Sequence, residues 1–149
     1  MQTFVPSTNP AKCAEVLDRQ RLGKQRVETL QLLKAIHTSS GWANHPAAKM
    51  WHGHELALVD YGLAICDEWV GNRGYKDTCR DKIKAYASVF KDSSDYYPAW
   101  WGDEAVHASH RANLLRKLPE WYGDFGWGED PSDPYFWPGC TVRGCTKCS

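Results

Sequence analysis

The chain has 149 residues, 42% of them hydrophobic, and its 18 Lys and Arg balance its 18 Asp and Glu. That length suits one domain with a full core, so the composition excludes a disordered chain and calls for no disulfide framework. Zero net charge excludes a protein that is basic as a whole, yet residues 1–37 carry six Lys and Arg against three Asp and Glu, so one face can still be cationic.

The opening residues Met1 to Pro6 lack the basic and apolar regions of a secretory signal, and no apolar run is long enough to cross a bilayer. A soluble, cytoplasmic chain is expected. Helical periodicity then dominates and strand signals are few, which predicts an all-α fold of about four helices over residues 1–149. The first helical stretch opens at Asn9-Pro10, a cap followed by a first-turn proline. Val16, Leu17, Val27, Leu30, Leu33 and Ile36 supply its core face, and Gly23 marks a kink or a break. Ala47, Met50, Trp51, His54, Leu58, Tyr61, Ile65 and Trp69 step by three or four and predict one long helix, with Asn44 as cap and Pro46 in the first turn. A third helix is expected over 77–90, with Cys79, Ile83, Tyr86 and Phe90 inward, followed by a polar loop at 92–95. A fourth is expected over 103–118, with Ala105, Ala108, Ala112 and Leu115 on one face and Pro119 as its stop. The stretch 120–149, rich in Gly, Pro and aromatic residues, reads as irregular chain wrapped over the helices.

The most informative segment is Leu17-Asp-Arg-Gln-Arg-Leu-Gly-Lys-Gln-Arg-Val-Glu28. On a helix, Arg21, Lys24 and Glu28 share a face, Gln25 flanks it, and Arg19 and Arg26 lie close by. One reading is a solvated face with a Lys24–Glu28 pair of small energetic consequence. The other starts from the mixture of charges. Several cations hold phosphates, and a carboxylate among them repels the same anion. A carboxylate in that place points to a chemical task, such as stabilising positive charge on a sugar or moving a proton.

Three further groups stand out. His45 at a helix start suits either a phosphate or sugar contact or a plain capping role. His52 and His54 do not share a helix face, and neither His-Glu-x-x-His nor Pro-Cys-x-x-Cys occurs, so no metal is assigned there. His107, His110, Arg111 and Lys117, with Ser109 among them, form either a basic phosphate-binding face or an ordinary solvent face. Among the aromatic residues, Trp121 and Tyr122 are candidates to stack on a base, with packing as the competing role. Cys13, Cys66 and Cys79 read as small buried residues. Cys140, Cys145 and Cys148 are one ligand short of a structural zinc site and read as a frayed tail.

Arg21-Leu-Gly-Lys-Gln-Arg-Val-Glu28 resembles the catalytic helix of the pyrimidine-dimer DNA glycosylases of the endonuclease V type. Their pattern, His-Leu-x-Ala-Glu-x-Arg-Glu, ends in the catalytic glutamate; the leucine and the final glutamate match, and Arg21 stands in place of the histidine. Gly41-Trp-Ala-Asn-His45 resembles a Gly-x-Gly-His element ahead of the family's long helix. Residues 103–118, with His107, Ser109 and Arg116, resemble a later helix, and Pro119-Glu-Trp-Tyr122 resembles the start of an aromatic tail. The segments around Leu17–Glu28 and Asn44–Trp51 also resemble a bacterial branch grouped with these enzymes. The resemblance covers most of residues 1–122.

What the resemblance implies is a DNA N-glycosylase acting on duplex DNA that holds a damaged or modified pyrimidine, as a monomer and without metal or organic cofactor. Glu28 and the Met1 α-amine are the catalytic groups it implies. The amine attacks the sugar C1′ and displaces the base, and β-elimination from the resulting Schiff base nicks the strand. α-Amines as a class titrate well below lysine, which makes this chemistry reasonable near neutral pH. The family opens Met-Thr and loses its methionine, whereas Gln2 is large for that removal, so Met1 is expected to stay. Two routes then remain open: the Met1 amine is the nucleophile, or Glu28 activates water and no lyase step follows. The expected DNA contacts are Arg19, Arg21, Lys24, Gln25, Arg26, His45, His107, Ser109, His110, Arg111, Trp121 and Tyr122. The alternative is a non-catalytic nucleic-acid-binding module on the same fold.

Overall fold

The computed structural model describes residues 1–39, 41–93 and 97–142. The described residues are helical, with no strand: α1 (Pro10–Val16), α2 (Arg19–Thr38), α3 (Pro46–Lys49), α4 (Glu55–Asp67), α5 (Arg80–Val89), α6 (Glu104–Lys117) and α7 (Pro119–Tyr122). The class is all-α as expected, with seven α-helices in place of about four. Two of the added helices are single turns, which are too short to leave a periodic signal.

The helix starts follow capping chemistry. Asn9 caps α1 by accepting from the Ala11 N–H, Asp18 caps α2 by accepting from Arg21, and Asp103 caps α6 by accepting from Ala105. The first break falls at Leu17-Asp18, because Asp18 begins a new helix there. Gly23 lies inside α2 and serves packing instead: a Cβ at this position would meet the Trp69 ring at 3.1 Å. The predicted long helix is likewise split. His45, not Asn44, caps α3, and Gly53 at φ +84° turns the chain before α4 begins. That left-handed turn needs glycine. The third helix starts at Arg80, later than expected, with Asp77 accepting from the Cys79 and Arg80 N–H groups.

α4 is the central element and packs against α1, α2 and α5. The expected apolar stripe is here part of a helix that is buried over most of its surface, with Ala57, Leu58, Val59, Tyr61, Ile65 and Cys66 all in the core. Gly62 lets α2 approach it closely; a Cβ there would lie 2.5 Å from Thr29 Cγ2. One core cluster joins the helices, with Trp51, Tyr61, Leu32, Leu58 and Tyr122 fully buried. Cys13, Cys66 and Cys79 are buried, and burial pushes the Cys13 and Cys66 thiols up to about 12.

Two expected faces differ. Val27 is exposed rather than core. On α6, Ala112 and Leu115 are buried as expected, but Ala105 is exposed and the buried side also carries Val106, His107, His110, Asn113 and Leu114. His107, Ser109 and His110, read as part of a polar outer face, are thus turned inward, while Arg111 is half-buried and Lys117 exposed. Residues 126–142 are irregular, as expected, but Pro119–Phe125 is helical. The polar loop at 92–95 and the pair Cys145 and Cys148 lie partly or wholly outside the described residues. No helix among the described residues is long and apolar enough to cross a membrane.

Candidate active site

Residues 3–6 run extended and buried with no partner strand. Backbone groups in that position must find hydrogen bonds elsewhere. Side chains supply them. The Phe4 N–H donates to Gln25 Oε1 (3.2 Å), and the Val5 N–H donates to His110 Nδ1 (2.9 Å). The Thr3 carbonyl accepts from the Tyr135 hydroxyl (2.7 Å), the Val5 carbonyl pairs with His107 Nδ1 (2.8 Å), and the Pro6 carbonyl accepts from Arg111 (2.8 Å). The Tyr61 hydroxyl lies 2.8 Å from the Phe4 carbonyl and 2.6 Å from Gln25 Oε1.

These contacts account for three of the four α6 residues expected to touch DNA, and the fourth, Ser109, is turned inward beside them. His107 Nε2 accepts from the Gly102 N–H, so its Nδ1 carries the proton that it gives to Val5. His110 is fully buried and stacked on Tyr135 at 4.2 Å. Ser109 is buried, donating to the Val106 carbonyl and accepting from the Phe136 N–H. Arg111 is tied to Glu104 and Glu129 as well as Pro6. The basic outer face therefore does not form as one surface: His107, His110 and Arg111 hold the amino-terminal segment, Ser109 ties α6 to Phe136, and Lys117 alone stays exposed, at the pocket.

Gln25 continues the arrangement. Its Nε2 donates to the Gln2 carbonyl at 2.8 Å and to Glu28 Oε2 at 3.0 Å. One buried amide thus links the first residues to the Glu28 carboxylate. Met1, Gln2, Phe4, Gln20, Arg21, Lys24, Gln25, Glu28 and Lys117 line a pocket of about 130 Å³. Gln20, Lys24 and Glu28 also line an adjoining open groove of about 650 Å³, bounded by Arg19, Val27 and Trp69. Glu28 consequently stands between the two, facing a cleft and not bulk solvent. Among the described residues it makes no ion pair with Lys24.

The remaining expected residues divide. Arg21 lines the pocket while pairing with Asp18 at 3.2 Å. Arg19 is exposed beside the groove and sits over the Tyr75 ring. Arg26 lies on the opposite side of α2, bonded to Asp77 at 2.5 Å and packed over Trp69. Burial works against the Asp77 charge, but bonds from Arg26 and two backbone N–H groups hold its carboxyl below the usual range. That pairing leaves Arg26 a structural residue in this chain. Tyr122 is buried with its hydroxyl 2.5 Å from Asp18 Oδ1, whereas Trp121 is partly exposed and donates to the Val16 carbonyl.

His45 accepts from the Ala47 N–H through Nδ1 and sits edge-on between the Trp42 and Trp137 rings. Burial first, and then the positive amino terminus, hold its pKa below the usual value. It is therefore neutral at pH 7, with its proton on Nε2. Gln2 and Gln20 were not singled out as site residues from sequence, and Lys117 was considered only as part of a basic face on α6. Gln20 shares the helical spacing of Lys24 and Glu28, so periodicity could have found it. Gln2 and Lys117 are brought in only by folding.

Two outcomes test this account. Gln25→Leu removes the amide from Gln2, Phe4 and Glu28, and should lower unfolding free energy by about 2–4 kcal/mol in urea titration. Burial, reinforced by His107 and Arg111, lowers the His110 pKa from 6.5 to about 3. The folded state excludes a proton that the unfolded chain accepts, so this contribution is full above pH 6.5 and is lost as pH falls from there toward 3. Thermal midpoints should fall across that window. His110→Asn, which keeps an acceptor and cannot titrate there, should flatten the fall.

The sequence profile of the pyrimidine dimer DNA glycosylase family matches residues 1–83 of the 149. No curated protein and no solved structure matches the chain. The matched part contains the extended amino-terminal segment, all of α2 with Glu28, His45 and the central helix. It covers more than half of the sequence, and the chain belongs to the pyrimidine dimer DNA glycosylase family.

Proposed function

We propose that this chain excises a damaged or modified pyrimidine from duplex DNA, with Glu28 as its catalytic carboxylate and the Met1 α-amine as its nucleophile. The observation that carries the reading is the shared pocket: Met1 and Glu28 line it together, and Gln25 bonds both the Gln2 carbonyl and Glu28.

Binding begins with phosphates at Arg19, Arg21, Lys24 and Lys117, cations at the rim of the pocket and groove. The sugar carbon cannot be reached inside the base stack, so the nucleotide turns out toward the pocket. The amine lone pair then forms a bond to C1′. The glycosidic bond breaks, and the base leaves with that electron pair and takes a proton. Glu28 stabilises the positive charge that builds on the sugar and moves protons in the following steps. Loss of the amine proton and opening of the sugar give a Schiff base. β-Elimination then removes the 2′ proton and breaks the bond to the 3′ phosphate. His45, neutral and close enough to the amino terminus to feel its charge, offers an Nε2 proton to a sugar or phosphate oxygen. Trp121 is an exposed ring that bonds the Val16 carbonyl and lines neither the pocket nor the groove, while Tyr122, Ser109, His107, His110, Arg111 and Arg26 act by holding the scaffold.

Glu28→Gln should cut base release by at least about 10²-fold while leaving duplex binding within a few-fold, measured on duplexes carrying dimers, uracil, alkylated or hypermodified pyrimidines. Unchanged base release would remove Glu28 from the chemistry. If no duplex in the panel loses a base, the chain is a binding module. The amine step has its own test. Borohydride with abasic duplex should trap a covalent adduct, and peptide mapping should place it on residue 1. An adduct on a lysine, or none, excludes the amine route and leaves Glu28 activating water.

A further inference from the structure

Five of the eight tryptophans commit the indole N–H inside the fold: Trp51 donates to the Thr3 hydroxyl, and Trp69, Trp100, Trp101 and Trp121 donate to backbone carbonyls. Such rings are packing residues whose polar edge has found its partner. Trp127 is half-buried and stacks on Tyr122 and Phe125. Trp42 and Trp137 differ. They are 47% and 37% exposed. No hydrogen bond joins either indole N–H to a partner among the described residues.

These two rings come from distant parts of the chain and meet at one residue. His45 sits edge-on to both, 5.2 Å from Trp42 and 5.7 Å from Trp137 between ring centres. The His45 N–H donates to the Trp42 carbonyl at 2.9 Å, and Gly41 at φ +59° starts the turn that carries Trp42. That left-handed residue favours glycine, so backbone geometry sets where the ring stands. Trp137 lies 4.4 Å from Tyr135, whose hydroxyl bonds the Thr3 carbonyl. The pair therefore borders the first residues of the chain, which line the pocket together with Glu28. His45 spends Nδ1 on the Ala47 N–H and keeps its Nε2 proton between the two rings. Large rings held open to water around one hydrogen-bond donor mark a contact surface.

We propose that Trp42 and Trp137 form a stacking platform for an unstacked nucleobase of duplex DNA, with His45 donating to the same strand. Family membership supplies DNA as the ligand. The unstacking step rests on the excision reading: a nucleotide drawn to Met1 and Glu28 leaves bases in the duplex that have lost a stacking neighbour. Every base has a planar π-face, and an indole replaces the lost neighbour without reading sequence. Trp121 and Tyr122, the rings expected to stack, are engaged elsewhere, through the Val16 carbonyl and through burial against Asp18. Trp42 and Trp137 touch no reacting atom. They bind the strand beside the amino terminus and are not catalytic.

The probe is a duplex carrying a tetrahydrofuran abasic-site analogue, which offers an unstacked site and no base to excise. The wild-type chain should bind it more tightly than the fully paired duplex. Trp42→Ala and Trp137→Ala should each weaken that binding about five- to a hundredfold and leave the paired duplex and the salt dependence unchanged. Trp42→Phe and Trp137→Phe should recover most of the loss. Circular dichroism checks that helix is retained. Should an alanine variant fail to fold, the wild-type chain decides: an iodouracil placed beside the tetrahydrofuran should photocrosslink to Trp42 or Trp137 in peptide maps. The platform is overturned by a wild-type chain with no preference for the tetrahydrofuran duplex, by alanine variants that bind like wild type, or by crosslinks confined to other residues. Self-association abolished by both alanine variants also overturns it and makes the rings an interface between copies. Wild-type preference for the tetrahydrofuran duplex, lost in both alanine variants, with no base released from any duplex, removes the excision reading and upholds the platform. Absence of any duplex binding removes both.

Discussion

A buried extended segment with no strand beside it presents a row of amide and carbonyl groups that water cannot reach, and each left unpaired would cost about 1–3 kcal/mol. Residues 3–6 are in this position, and the rest of the molecule is arranged to answer it. Gln25 from α2, Tyr61 from α4, His107, His110 and Arg111 from α6, and Tyr135 from the tail each give one hydrogen bond to this backbone. Elements far apart in sequence are fixed relative to one another because they share these few atoms.

The same constraint positions the site. Gln25 has one amide group, and both of its ends are used. Its oxygen serves Phe4 and Tyr61, and its nitrogen serves Gln2 and Glu28. A carboxylate on a helix surface is ordinarily free to follow solvent, but here its neighbour on the next turn is locked by the buried segment. The first residues of the chain and Glu28 are thereby held at one pocket through a side chain that has no chemistry of its own.

His107 and His110 illustrate how one pattern supports two roles. Histidine and arginine at helical spacing suit a phosphate-binding face and suit a buried hydrogen-bonding face equally well. What separates them is the presence of an unpaired backbone next to the helix. That backbone comes from the other end of the chain, about a hundred residues away, and leaves no trace in local periodicity. Arg26 is a parallel case: its partner Asp77 lies 51 positions on.

Features set by neighbouring residues are legible without coordinates. Helical class, the cap at Asn9, and the shared face of Arg21, Lys24 and Glu28 all depend on residues within about four positions of one another. Which way each polar residue faces depends instead on how distant parts of the chain pack. Packing put Met1 and Glu28 in the lining of one pocket, turned His107, Ser109 and His110 inward, and brought His52 to Cys140. The reason is that a polar side chain goes where an unsatisfied partner is buried, and that partner is supplied by chain packing at long range, which no local spacing encodes.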